Sequence, residues 1–270
     1  MAVSTLRVAT SLLRRRLIKT KDQNFASKRA FSSASSSSSV LHHEWVVGGK
    51  IVKAGEEPAD QSRQDTVLFL HGLLGAGKNL RAPAKKLTER HPHLSALLLD
   101  LRGHGSTSAN GTLGGEIAAG PHSFDACVGD IVRTLHSLGL VDGGAEGGEG
   151  SRRSPVGVVG HSFGGRIALE YLHALLHSRP SRPSSLSVPF VRPPRSTWLL
   201  DTVPGRAHGS VAGVVEAVSS VSMPVKSKKV LVEELTQRKG VDPAIAMWMT
   251  TNLAPARGES GGGFDFAFDL

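Results

Sequence analysis

The chain of 270 residues holds one cysteine, Cys127, and one tyrosine, and aromatic residues make up only 5% of it. A single thiol excludes an internal disulfide and any cysteine-based zinc site. There is no run of about 18 uncharged apolar residues, so no transmembrane segment is expected. Charged residues at 20% and apolar residues at 39% describe a folded domain rather than a disordered or membrane-embedded chain. Acidic charge is scarce at one end. Up to Val40, eight Lys and Arg side chains stand against the single acid Asp22, which accounts for seven of the net +9 charges. The rest of the chain is nearly neutral and gives no support to a polyanion-binding face, so nucleic acid is not an expected partner.

Met1 to Ser39 are rich in Arg and Ser. If helical, this stretch gathers Leu6, Leu12, Leu13, Leu17 and Ile18 on one face with the arginines opposite, as organellar transit peptides do. The arginines interrupt any apolar core that a secretory signal would need. Arg29-Ala30-Phe31-Ser32-Ser33 resembles mitochondrial presequence cleavage sites, where an arginine stands shortly before the cut. Residues 1–40 are therefore expected to be a transit peptide and Ser-rich linker addressed to the mitochondrion. The serine run from Ser35 to Ser39 keeps the plastid open as the alternative.

From His43 onward short apolar runs alternate with stretches of helical spacing. Trp45–Val52, Thr66–Leu70, Leu94–Leu99, Val156–Val159 and Thr197–Leu200 read as strands. Asn79–Arg90, Phe124–Leu138 and Phe163–His177 read as helices. Gly143–Gly150 reads as a linker, and the Pro-, Arg- and Ser-rich stretch between His177 and Ser196 as a surface insertion. This alternation predicts a doubly wound, mostly parallel sheet. Past Asp201 the pattern turns helical, over Val211–Val221, Val225–Arg238 and Pro243–Asn252, and ends in the aromatic alternation Phe264, Phe266, Phe268. The expected organisation is thus a core over residues 41–201 and a helical lid over 202–270.

Gly160-His161-Ser162-Phe163-Gly164 fits the nucleophile-elbow pattern and lies between an expected strand and an expected helix. A serine at the tip of so tight a turn needs small neighbours two residues to either side. His71-Gly72-Leu73-Leu74-Gly75 follows an earlier strand. Beyond such a His-Gly pair, a backbone N–H can join that of the residue after the nucleophile as an oxyanion hole, here Leu73 with Phe163. Gly72 to Asn79 also approaches a phosphate-binding loop, but Asn79 stands where Ser or Thr would bind magnesium. Asp100-Leu101-Arg102-Gly103-His104-Gly105 closes the next strand. Its Asp100 and Arg102 are expected to brace loops, and its His104 is not expected to be a catalytic base.

These three motifs, in this order, resemble the α/β-hydrolase superfamily, in particular its short-chain acyl esterase branch of bacteria and mitochondria. The likeness runs from about Trp45 to Asp201 and more loosely to Leu270. It implies a serine hydrolase that needs no cofactor and no metal and cleaves a small acyl ester or thioester through an acyl-enzyme. Ser162 would be the nucleophile, with Leu73 and Phe163 as oxyanion donors. Asp201, at the end of the strand Trp198-Leu199-Leu200, resembles the triad acid of some bacterial members; the open alternative is a structural carboxylate there, with the acid on a later strand.

The superfamily places its histidine last in sequence, on a turn beyond further strands. The chain reaches Leu270 without that turn, so the last strands of the fold are expected to be missing and no histidine stands at the expected place. His173 and His177 lie on the helix leading away from Ser162, and His208 would serve only with an unusual lid. The alternative function is a non-catalytic binding or scaffold protein that keeps the elbow. Acyl chain length and oligomeric state are not readable.

Overall fold

The computed structural model describes residues 6–7, 40–52, 64–108, 122–142, 154–177, 191–203, 209–256 and 262–269. Most of the expected transit peptide with its cleavage site, the 143–150 linker, most of the insertion between His177 and Ser196, and His208 lie outside them.

Among the described residues there are nine strands: β1 (Leu6–Arg7), β2 (His43–Val47), β3 (Lys50–Ile51), β4 (Asp65–Leu70), β5 (Leu94–Leu99), β6 (Gly157–His161), β7 (Ser196–Leu200), β8 (Leu253–Pro255) and β9 (Phe264–Phe266). The first seven form one sheet in the order β1-β7-β6-β4-β5-β2-β3. Its centre, β7-β6-β4-β5, is parallel, while β1, β2 and β3 pair antiparallel. The helices are α1 (Arg81–Arg90), α2 (Phe124–Ser137), α3 (Phe163–His177), α4 (Gly209–Ser219), α5 (Lys228–Glu233) and α6 (Pro243–Met249).

Successive strand residues face opposite sides of a sheet, so a strand covered on both faces must be apolar throughout. β4 obeys this. Its Val67 and Phe69 enter the cluster that contains Leu80 and Ala84 beside α1, while Leu68 and Leu70 enter the cluster of Ile131 and Leu135 on α2 and Ile167 and Tyr171 on α3. β5 divides the same way, Ala96 and Leu98 to one side, Leu97 and Leu99 to the other. The predicted doubly wound, mostly parallel sheet is therefore the observed one, and both strands of this central pair are held on both faces.

The early strand material expected over Trp45–Val52 forms a hairpin. Gly48 and Gly49, with φ of 54° and 77°, make the two-residue turn between β2 and β3. At the other edge of the sheet Leu6 pairs with Leu199 of β7. The helix expected from Val225 starts at Lys228, because the Ser227 hydroxyl caps the Val230 N–H and Val225 is engaged in a bridge to Phe264. Of the expected aromatic alternation, Phe264 and Phe266 lie in β9, paired with β8, and Phe268 bridges to His104.

Helices α4 to α6 and the β8–β9 pair share a separate core around Val218, Leu231, Leu235, Met249, Phe266 and Phe268. Leu74 is buried in it too, which ties this core to the loop after β4. Beyond β9 the chain returns to the loop after β5: the Gly105 N–H donates to the Ala267 carbonyl (2.5 Å) and the Asp269 N–H to the Gly103 carbonyl (2.8 Å). The 202–270 segment is thus built into the core loops at its far end.

Candidate active site

Ser162 stands between β6 and α3 with φ of 50°, a left-handed conformation that costs a non-glycine residue about 1–3 kcal/mol. Its surroundings hold it there. The Ser162 N–H donates to the Leu200 carbonyl (2.8 Å), and its carbonyl accepts from the Gly165 N–H (3.0 Å) and the Thr202 hydroxyl (3.1 Å). The turn is closed so tightly that no side chain fits at Gly160 or Gly164. A Cβ on Gly160 would lie 2.5 Å from the Gly164 carbonyl oxygen, and one on Gly164 2.2 Å from the Leu70 carbonyl oxygen. The Ser162 hydroxyl itself makes no hydrogen bond among the described residues.

The loop after β4 passes beside the serine. A Cβ on Gly72 would lie 3.4 Å from Ser162 Cβ and 3.0 Å from His161 Nδ1. Leu73 follows, its side chain packed against the C-terminal core. Phe163 opens α3, its ring 5.7 Å from Phe124 and 6.5 Å from His104. Neither the Leu73 nor the Phe163 N–H has an acceptor among the described residues. Gly72 is thus brought against Ser162, with Leu73 and Phe163 as their respective chain neighbours.

Asp201 is placed by β7, immediately after Leu200, whose carbonyl holds the Ser162 N–H. It is exposed, has φ of 49°, and its carboxylate has no hydrogen bond or ion pair among the described residues. Its charge acts on His161, which occupies the variable position of the elbow motif and so carries no signal of its own in the sequence. Burial lowers the His161 pKa, and the Asp201 carboxylate works against that.

No described histidine hydrogen-bonds Ser162. His71 and His104 are buried, and each ring has both nitrogens engaged with backbone. Burial, reinforced by the neighbouring His71, pushes the His104 pKa down to about 4. His173 and His177 stand at the far end of α3 with His177 Nδ1 2.8 Å from the His173 carbonyl.

The loop after β5 is a polar brace. Asp100 accepts from the Gly77 N–H (2.7 Å), the Ser106 N–H (2.8 Å) and His42 Nδ1 (2.9 Å). Burial works to raise its pKa, but the His42 hydrogen bond and the nearby His71 prevail and hold it below the usual carboxylate range. Arg102 reaches buried Asp130 on α2 through two bonds of 2.8 and 2.9 Å. The stretch that approaches a phosphate-binding loop has other uses: the Gly77 N–H is taken by Asp100 and the Ala76 N–H by the Asn79 side chain (2.7 Å). Among the described residues no group of three His, Cys, Asp or Glu could hold a metal ion, and no helix is long and apolar enough to cross a membrane.

The sequence profile of the Alpha/beta hydrolase family matches residues 67–258. The chain belongs to the alpha/beta hydrolase family. Within that family it is 27% identical over 209 residues to the sn-1-specific diacylglycerol lipase ABHD11 of Mus musculus, covering 76% of this chain and 55% of the relative. The protein of that name from Danio rerio is 23% identical over 203 residues, covering 72% and 51%. This alpha/beta hydrolase chain therefore spans about half the length of the curated relatives it matches. The fold is shared with a marine microorganism esterase (TM-score 0.56, 18% identity, 85% of this chain and 69% of that one). It is also shared with an alpha/beta hydrolase from Novosphingobium aromaticivorans (TM-score 0.50, 16% identity, 85% and 64%).

Proposed function

We propose that the protein is a serine hydrolase that cleaves carboxylic ester or thioester bonds through an acyl-enzyme on Ser162. One observation carries this reading: Ser162 is held in a left-handed turn, closed by Gly160 and Gly164, with its hydroxyl uncommitted among the described residues. Ser162 Oγ attacks the acyl carbonyl and yields its proton to a base. The oxyanion that forms is met by the Leu73 and Phe163 N–H groups, each worth ~3–4 kcal/mol in a preorganised hole. Collapse expels the alcohol or thiol, and water then releases the acid and restores the serine. Asp201, one strand over, is assigned as the acid that orients the base. The relatives named as diacylglycerol lipases favour an ester as substrate. The Arg- and Ser-rich composition of residues 1–39 supports a mitochondrial address.

A second reading, a binding protein that keeps the elbow without turnover, is favoured by the lack of a hydrogen bond from any described histidine to Ser162. An unassisted hydroxyl is a weak nucleophile. Labelling of the full chain with a fluorophosphonate probe separates the two. Labelling that disappears in Ser162→Ala supports the acyl-enzyme. A folded chain that the probe leaves unmodified supports the binding protein.

A further inference from the structure

Two histidines that take no part in the proposed chemistry hold each other's loops. His71 directly follows β4, and its Nε2 accepts the Leu101 N–H of the loop after β5 at 2.9 Å. His104 belongs to that second loop, and its Nε2 accepts the Leu74 N–H of the first at 3.2 Å. Each ring turns its other nitrogen to a carbonyl of its own loop, His71 Nδ1 to Gly72 (2.8 Å) and His104 Nδ1 to Arg102 (2.7 Å). The rings lie 5.1 Å apart, and both are buried. A carbonyl oxygen only accepts and an N–H only donates. Both rings are therefore fixed as neutral imidazoles with the proton on Nδ1 and a bare Nε2.

The clasp matters because of where Leu74 sits. Leu74 has φ of 60°, a strained value for a branched side chain, and its side chain is buried in the C-terminal core. Of the consecutive N–H groups of Leu73 and Leu74, His104 takes the second, and the first, next to the Gly72 that lies against Ser162, has no acceptor among the described residues. The His104 ring also stacks at 6.5 Å on Phe163, which carries the other open N–H.

We infer that His71 and His104 are positioning residues that set the loop after β4 so that the Leu73 N–H faces the serine. The inference rests on the acyl-enzyme reading, in which Leu73 is an oxyanion donor. His104 chooses which of two adjacent N–H groups is presented, and His71 locks the strand end from which that loop leaves.

Two measurements on the full chain test it. Long-range ¹⁵N–¹H NMR of the wild type should show two histidines locked in the Nδ1–H tautomer, which a free histidine populates less than the Nε2–H form. Their assignment comes from the spectra of His71→Gln and His104→Gln. The second measurement is the rate of Ser162 labelling by a fluorophosphonate, with the near-UV circular dichroism of each variant as the check on folding. His104→Leu keeps the bulk but removes the acceptor, and labelling should slow by ~10²–10³-fold, as for loss of one oxyanion donor. His104→Gln returns a carbonyl oxygen near the Nε2 position and should recover at least about tenfold of that loss.

A folded His104→Leu chain that labels at the wild-type rate overturns the inference and leaves the acyl-enzyme reading intact. Rings found as Nε2–H or protonated at neutral pH overturn it whether or not the Leu variant folds. A wild type that is never labelled overturns the acyl-enzyme reading, and the positioning role falls with it, even if the tautomers confirm the clasp.

Discussion

The elbow at Ser162 and the loop after β5 are neighbours held in shape by opposite means. Around Ser162 the control is steric. Side chains are missing where Gly160 and Gly164 meet backbone, and the polar contacts are backbone groups and one threonine. In the loop from Asp100 to Gly105 the control is polar: a buried carboxylate, a buried guanidinium and a buried imidazole each satisfy backbone or side-chain partners. Sterics leave the serine hydroxyl free for chemistry, whereas a polar brace consumes its own functional groups. The residues that look most reactive by type, Asp100 and His104, are therefore committed to structure, and the less conspicuous serine is the one left open.

The largest effect is expected from breaking the steric side. Gly164→Ala drives a Cβ to 2.2 Å from the Leu70 carbonyl and 2.4 Å from that of His71, both backbone that cannot swing aside. Urea unfolding should show a destabilisation of more than about 3 kcal/mol, with loss of Ser162 labelling.

On the polar side, Arg102→Met leaves Asp130 buried and partnered only by Arg133 among the bonds described, and should cost about 3 kcal/mol on the same urea measurement. Adding Asp130→Leu should recover much of that loss, which Gly164→Ala has no partner substitution to provide.

Acid sharpens the comparison further. A histidine whose folded pKa lies at about 4 against an ordinary 6.5 stays neutral while the unfolded chain binds a proton. Stability therefore falls as pH drops from about 6.5 and levels off near 4, by about 3 kcal/mol for His104 alone. His71 and His161, both lowered chiefly by burial, add to the fall. His42, raised by its bond to Asp100, opposes it. Thermal midpoints measured across this range should show the decline, and His104→Gln should flatten it.

The smallest effect marks the limit of the glycine argument. Gly213 on α4 has nothing within 4 Å of the position a methyl group would take, so Gly213→Ala should stabilise by about 0.5–1 kcal/mol in urea unfolding.

The sheet was legible because both faces of β4 and β5 are covered, which forces unbroken apolar runs such as Val67-Leu68-Phe69-Leu70. The elbow was legible for a related reason: a turn that excludes side chains must be written in glycine. Asp201 could be located at the end of β7 once that strand was recognised. The clasp of His71 and His104 was not legible, because nothing in the local sequence of either loop says that each ring accepts a hydrogen bond from the other's backbone. The Gly48-Gly49 hairpin also carries its signal, a two-residue glycine turn between short apolar stretches, which divides the early strand material of Trp45–Val52 in two. The start of α5 escapes local patterning for a tertiary reason, since Val225 is drawn into pairing with Phe264, far along the chain.

The proposed chemistry stands or falls on whether Ser162 works under the open N–H groups of Leu73 and Phe163. A crystal structure of the full chain after reaction with a fluorophosphonate would decide it. Phosphorus should be bonded to Ser162 Oγ, with a phosphonyl oxygen about 2.7–3.1 Å from both backbone nitrogens. An adduct on another residue, or one on Ser162 whose oxygen points away from both, would overturn the assignment.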